Sequence, residues 1–110
     1  MDHFEQLKRM TAAAAEPVLA NDEIESLLAM FAVVDADGLK PTDPEWRPTY
    51  RLKAAAAEGW RWKAAKAAEL ISSDLDGDRM SAHQVFYHCQ DMVKIYSRGT
   101  ATTSMSGATN

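Results

Sequence analysis

Residues 51–70 read RLKAAAAEGWRWKAAKAAEL, and the fold turns on this stretch. Alanine is the strongest helix former, and the flanking basic and acidic residues follow closely, so the run reads as one long helix. Gly59 is its one weak position, costing about 1 kcal/mol relative to alanine inside a helix. At roughly 100° per residue, Trp60 and Trp62 project to nearly opposite sides. Trp60 shares a stripe with Ala56, Ala57, Ala64, Ala67, Ala68 and Ile71; Trp62 shares one with Glu58, Lys66 and Glu69. A small monomer buries one such face readily. Covering both calls for a long loop folded over the second face, or for another chain.

Upstream, Asn21 to Val34 reads as a second helix. Asn21 suits an N-cap, and Asp22 and Glu23 complement the helix dipole. Ile24, Leu27, Leu28 and Phe31 follow at i, i+3, i+4 and i+7, a core stripe. Phe4 to about Ala15 reads as a shorter helix stopped by Pro17, or as an arm that orders on a partner; residues 1–17 are set apart on that basis. Asp35 to Thr49, DADGLKPTDPEWRPT, is a loop punctuated by Gly38, Pro41, Pro44 and Pro48. A loop this long in a small domain tends to be functional or to cover something. Its Trp46 is read either as a lid over the long helix or as a contact residue.

Downstream, residues 71–80 (ISSDLDGDRM) are expected to form a short β-hairpin, Ile71–Asp74 and Asp78–Met80, around an Asp76-Gly77 turn. Ser81 and Gln84 make a capping box for the last helix, with Met80 and Val85 as a hydrophobic staple. Val85, Cys89, Met92, Val93 and Tyr96 form its core stripe, and Gly99 its stop near Arg98. The polar end GTATTSMSGATN, 99–110, is expected to be flexible. The expected fold is therefore mainly α, a small helical bundle around a central helix at about 50–70, with one domain over 18–98. Its core centres on Ile24, Leu27, Leu28, Phe31, Trp60, Val85, Cys89 and Val93.

A chain of 110 residues, 46% hydrophobic and 25% charged, has room for one modest core. Its net charge of −4 argues against a general nucleic-acid binder, although Arg61, Lys63 and Lys66 form a local basic patch. A single cysteine rules out an internal disulfide and fits a reducing compartment. No apolar run reaches the roughly 18 residues that would span a bilayer, and MDHFEQLKRM is too polar to read as a signal peptide; assembly in a cytoplasm is the expectation.

Chemistry is thinly supported. Asp74-Leu-Asp76-Gly77-Asp78 imitates the start of a calcium loop but has Arg79 where glycine is needed and Val85 where a bidentate glutamate is needed. Asp35-Ala-Asp37-Gly38 is weaker still. His83 and His88 diverge by about 140° on a helix and cannot share a metal. Cys89 falls on the apolar stripe, as a small buried hydrophobe. No phosphate loop, nucleophile elbow or oxyanion site accompanies them. The expectation is no enzyme activity, no metal and no cofactor.

Several blocks carry a resemblance: Asp35-Ala-Asp37-Gly38, Asp43-Pro44-Glu45-Trp46, Pro48-Thr49-Tyr50, and above all AAAEGWRWKAAKAA ending at Ala68 with its neighbours Ala54 to Lys66. Asp76-Gly77, Met80-Ser81, Gln84-Val85 and His88-Cys89 add to it. Over about 21–98 the chain resembles the head–tail connector (adaptor, or head-completion) proteins of long-tailed bacteriophages. The resemblance implies a structural virion protein of the neck, without catalytic residues, assembled in the host cytoplasm. It implies a homo-oligomeric ring, twelve-fold by that likeness, seated on the portal protein and joined to the tail or a second neck protein, with DNA only passing through the channel. Subunit contacts would come from Trp46, Arg61, Trp62 and Lys66. Portal contacts would come from Lys94, Ile95, Arg98, Thr100, Thr102, Thr103 and Met105. The alternative is a small cytoplasmic helical regulator that binds protein or nucleic acid through the Trp62, Arg61, Lys63 and Lys66 face.

Overall fold

The computed structural model describes the backbone of residues 2–73 and 79–108, and the side chains of 2–71 and 82–98. Four helices follow in order: α1 (His3–Met10), α2 (Asn21–Met30), α3 (Leu52–Ser73) and α4 (Arg79–Ala108). The described residues form no strand, only an isolated antiparallel bridge between Ala32 and Tyr50.

Asp2 caps α1 by accepting the Glu5 N–H at 2.8 Å. The helix ends well before Pro17. Ala13 N–H donates to the Lys8 carbonyl and Ala12 N–H to the Arg9 carbonyl, a Schellman closure. Ala12 takes the left-handed conformation that motif requires, φ 48°, where glycine is usual. The chain then crosses α3 as an irregular segment with Thr11, Ala13, Pro17 and Leu19 buried. Ala20, not Asn21, precedes α2 as its N-cap, and its N–H donates to the Glu23 carboxylate at 2.8 Å.

Two clusters make the core along the buried face of α3. The first joins Leu7, Ala13, Leu19, Ile24 and Leu27 to Ala55 and Ala56, with Leu28, Phe31 and Trp62 partly buried against it. The second joins Trp60 and Ala64 to Cys89, with Val85, Phe86 and Val93 at its edge. Each fully buried Leu or Ile contributes about 1.5–3 kcal/mol. The central helix thus buries one broad face in its own chain, while Arg61, Ala65 and Glu69 stay exposed along the other. The alanines that make it a helix also let both neighbours approach closely.

The β-hairpin expected at 71–80 gives way to helix on both flanks. Ile71–Ser73 continue α3 and Arg79–Met80 begin α4. The helical pull of the alanine-rich run extends past Leu70, and the Asp76-Gly77 turn and the calcium-like Asp74–Asp78 run lie outside the described residues. Because α4 starts at Arg79, Ser81 sits inside it rather than at its cap. Gly99 does not stop α4 either; the helix carries through it to Ala108, 30 residues against 22 in α3. At 1.5 Å per residue, α4 is about 45 Å long, most of the 54 Å long axis of the molecule.

Candidate assembly surfaces

α3 holds the incoming segment by the backbone. The Trp60 indole N–H donates to the Met10 carbonyl at 3.0 Å. Lys63 Nζ donates to the Thr11 carbonyl at 2.9 Å and the Ala12 carbonyl at 2.6 Å, and lies 4.4 Å from the Trp60 ring centre. Lys66 Nζ donates to the Val18 carbonyl and to Glu23 Oε1, both at 2.8 Å. One ammonium group and an indole therefore satisfy the three carbonyls where α1 ends, Lys66 holds the chain further on at Val18, and Lys63 lies where the negative end of the α1 dipole favours a cation.

Lys63 is only 1% exposed. Burial pushes its pKa down, with Cys89 and Glu16 opposing the shift. Burial likewise pushes the Cys89 thiol up, with Lys63 opposing. Lys66 holds the Glu23 carboxyl below its ordinary range, aided by the Ala20 N–H. A lysine one residue after Trp62 counts as part of a basic surface by sequence alone. The helical register instead points it under the 11–19 segment. The basic patch read from Arg61, Lys63 and Lys66 is accordingly dispersed: Lys63 is buried and Lys66 is tied to Glu23.

Gly59 is a notch. A Cβ there would lie 2.7 Å from Thr11 Cγ2, 3.2 Å from Leu27 Cδ1 and 3.5 Å from Leu19 Cδ1. The position that looked weakest for the helix is where α2 and the crossing segment come closest to it.

Trp62 is half-buried against the first cluster, and its indole N–H donates to Glu58 Oε2 at 3.0 Å. Glu58 Oε1 accepts from Arg61 Nη1 at 2.9 Å, so one carboxylate orients both proposed contact residues. Arg61 also reaches Ser97 Oγ on α4 at 3.4 Å. The monomer covers part of Trp62, which the resemblance assigns to a contact with the next subunit. Trp46 lies elsewhere. Its indole N–H donates to the Val33 carbonyl at 2.9 Å and its ring meets Tyr50 edge-on at 5.7 Å. It finds its burial at the base of its own loop rather than as a lid on α3.

That loop is built, not slack. Asp35 Oδ1 accepts the N–H groups of Asp37 and Leu39, and Oδ2 that of Arg47, each at 2.9 Å. The Val33 N–H to Thr49 and Arg51 N–H to Phe31 bonds close its base. The Arg47, Leu39 and Asp37 N–H groups together hold the Asp35 carboxyl below its ordinary range, Arg47 foremost. A depressed carboxyl contributes stability above its unfolded value of 3.8, lost as pH falls through its folded value. Trp46 fluorescence is therefore expected to report loosening of the loop below that point, ahead of the loss of helical circular dichroism. Asp35→Asn is expected to show the loosened signal already at neutral pH.

On α4, Lys94, Ile95 and Arg98 are exposed, Ile95 at 53%. Helical register places positions 94, 95, 98, 102 and 105 within one arc of about 100°, with 100 and 103 off it. Two hollows flank the α3–α4 contact. One, about 260 Å³, lies among Ala12, Glu16, Trp60, Lys63, His88 and Cys89. The other, about 390 Å³, is a groove lined by Arg61, Ala64, Gln90, Val93 and Lys94. Among the described residues no group of three His, Cys, Asp or Glu is placed to hold a metal, and no helix is long and apolar enough to cross a membrane. No family model, curated protein or solved structure matches the chain.

Proposed function

We propose that the chain is a structural subunit of a bacteriophage neck, forming a ring on the portal and joining the head to the tail or the next neck protein. The resemblance of the 35–50 and 54–66 blocks to the connector proteins supports the reading. The geometric observation that carries it is the length of α4. It exceeds α3 by eight residues and exposes Lys94, Ile95 and Arg98, with positions 102 and 105 following in the same helical register. A helix that outruns its partner suits insertion into a groove of another protein, where an amphipathic face supplies anchors at i, i+3 and i+4 spacing. Net charge of −4 suits a channel wall that lets DNA pass without gripping it. With Lys63 buried and Lys66 paired, the face required by a nucleic-acid regulator retains little basic character, which favours the neck reading.

Truncation after Arg98 tests it. Removing 99–110 is expected to lower helical circular dichroism by the lost turns, leave the melting temperature of the body within a few degrees, and abolish co-sedimentation with the portal protein of the same phage. Undiminished portal binding by the truncated chain would contradict the assignment of α4 as the docking helix.

A further inference from the structure

The junction between α1 and the crossing segment runs against its own sequence. Thr11 leads into four consecutive alanines at 12–15, the residue that most favours helix, and the next break is Pro17. Yet α1 stops at Met10, and the chain turns at Ala12 with φ 48°. Residues bearing a Cβ seldom occupy that region, and glycine would fill it without strain. Local preference and tertiary packing therefore disagree at one short hinge. The turn is held from outside. The Trp60 indole donates to the Met10 carbonyl, and Lys63 to the Thr11 and Ala12 carbonyls. The turn lays α1 back in the α2–α3 groove of its own subunit. There Leu7 is fully buried with Ile24, Leu27, Ala55 and Ala56, and Phe4 and Met10 are partly buried beside it.

We infer that α1 is exchanged between copies of this chain: with the Ala12 turn straightened into helix, α1 of one subunit fills the α2–α3 groove of a second. The occupant is fixed by identity, because the groove already displays its fit to Phe4, Leu7 and Met10, anchors on one helical face. The packing of α1 in that groove recurs between copies, so the hinge alone separates the closed form from the exchanged one. Short hinges under strain are where such exchange arises. A helix continuous over 3–15 is about 20 Å long, which carries α1 out of its own groove. The Trp60 and Lys63 bonds to the turn hold a lone subunit closed, so exchange grows with chain concentration. Handed from each chain to the next, the contact is head-to-tail and propagates until it closes. That closure rests on the ring reading; the exchange itself does not.

Cross-linking between copies tests the exchange. The rings of His3, on α1, and Tyr50, beyond the 35–49 loop, meet edge-on with centres 5.0 Å apart. His3→Cys and Tyr50→Cys are made in separate full-length chains, incubated together and treated with a short bismaleimide. The wild-type chain, with only the buried Cys89, is the control. The mixture is expected to give linked dimer severalfold above either variant alone, rising with chain concentration. Ala12→Gly in both chains relaxes the turn and should cut that yield severalfold. Ala12→Val keeps the backbone N–H but disfavours the left-handed turn. It should raise the yield severalfold and move the chain into oligomers by light scattering. Linked dimer no higher in the mixture than in the single samples, or a yield that neither Ala12 variant moves, would overturn the exchange. So would an Ala12→Val chain that stays monomeric with α1 unprotected in amide exchange. Portal co-sedimentation separates the two readings. A chain that binds portal without exchanging loses only this contact, and one that exchanges but ignores portal loses only the neck assignment.

Discussion

Gly59→Leu is expected to cost the fold more than about 3 kcal/mol. The bare Cβ would already stand 2.7 Å from Thr11 Cγ2, and Thr11 has nowhere to go. Its hydroxyl donates to the Leu7 carbonyl at 2.9 Å, and its own carbonyl is held by Lys63. Leu27 and Leu19 close the other sides of the notch. For Gly59→Ala two effects compete. The helix gains about 1 kcal/mol in propensity, and overpacking costs about 1–3 kcal/mol. A net loss of up to about 2 kcal/mol is expected. Leucine adds three more heavy atoms to the same space, and the loss should exceed about 3 kcal/mol, a large share of a typical 5–15 kcal/mol stability. Urea denaturation followed by circular dichroism measures both. An alanine variant stabilised by the full propensity gain would show that the notch is not tight.

Lys63→Met is the second large effect. Methionine keeps most of the apolar stem but removes the ammonium, leaving the buried Thr11 carbonyl without the donor that satisfies it. An unsatisfied buried acceptor costs about 1–3 kcal/mol, and bonds to a charged donor are at the strong end of the range. Relief of the ammonium's desolvation offsets part of this. A net loss of about 2 kcal/mol is expected, with local opening of residues 1–19 seen as faster amide exchange there than in α4. The pH dependence follows from the direction of the shift. The folded lysine releases its proton below the unfolded value of 10.5, so between the two the unfolded chain binds more protons and this group's contribution rises with pH. Cys89 works the other way. Its folded thiol ionises above the unfolded 9.0, so its contribution falls as pH climbs through that range. Removing Lys63 should therefore make stability fall more steeply with pH than in the wild type above about pH 9.

The long helix and the stripe of α2 were legible in the sequence because propensity and a 3.6-residue period agree there. Ile24 and Leu27 are fully buried at the positions that period selects. The features that escaped depend on tertiary contacts. Lys63 looks like a surface residue by type, and nothing local signals that three carbonyls at the end of α1 need donors. Gly59 looks like a flaw until Thr11 lies across it. Alanine content at 54–57 and 64–68 points to close packing but not to which segment arrives, and the crossing chain at 11–19, alanine-rich and broken by Pro17, reads locally as the end of the first helix rather than as a strap laid across α3. Asp76-Gly77 fits a hairpin locally, yet the residues beside it follow the helices on each side. Gly99, a stop by propensity, costs only about 1 kcal/mol inside a helix and does not end α4. The candidate contact residues were legible only in part. Arg61 and Trp62 are brought together by Glu58, Lys66 is turned inward to Glu23, and Trp46 belongs to the loop rather than to their face.

The most direct measurement is electron microscopy of the purified chain mixed with the portal protein of the same phage. The proposed function predicts a ring of density added coaxially at one end of the portal, lost when residues 99–110 are removed. Portal particles unchanged by saturating amounts of the intact, folded chain would contradict it.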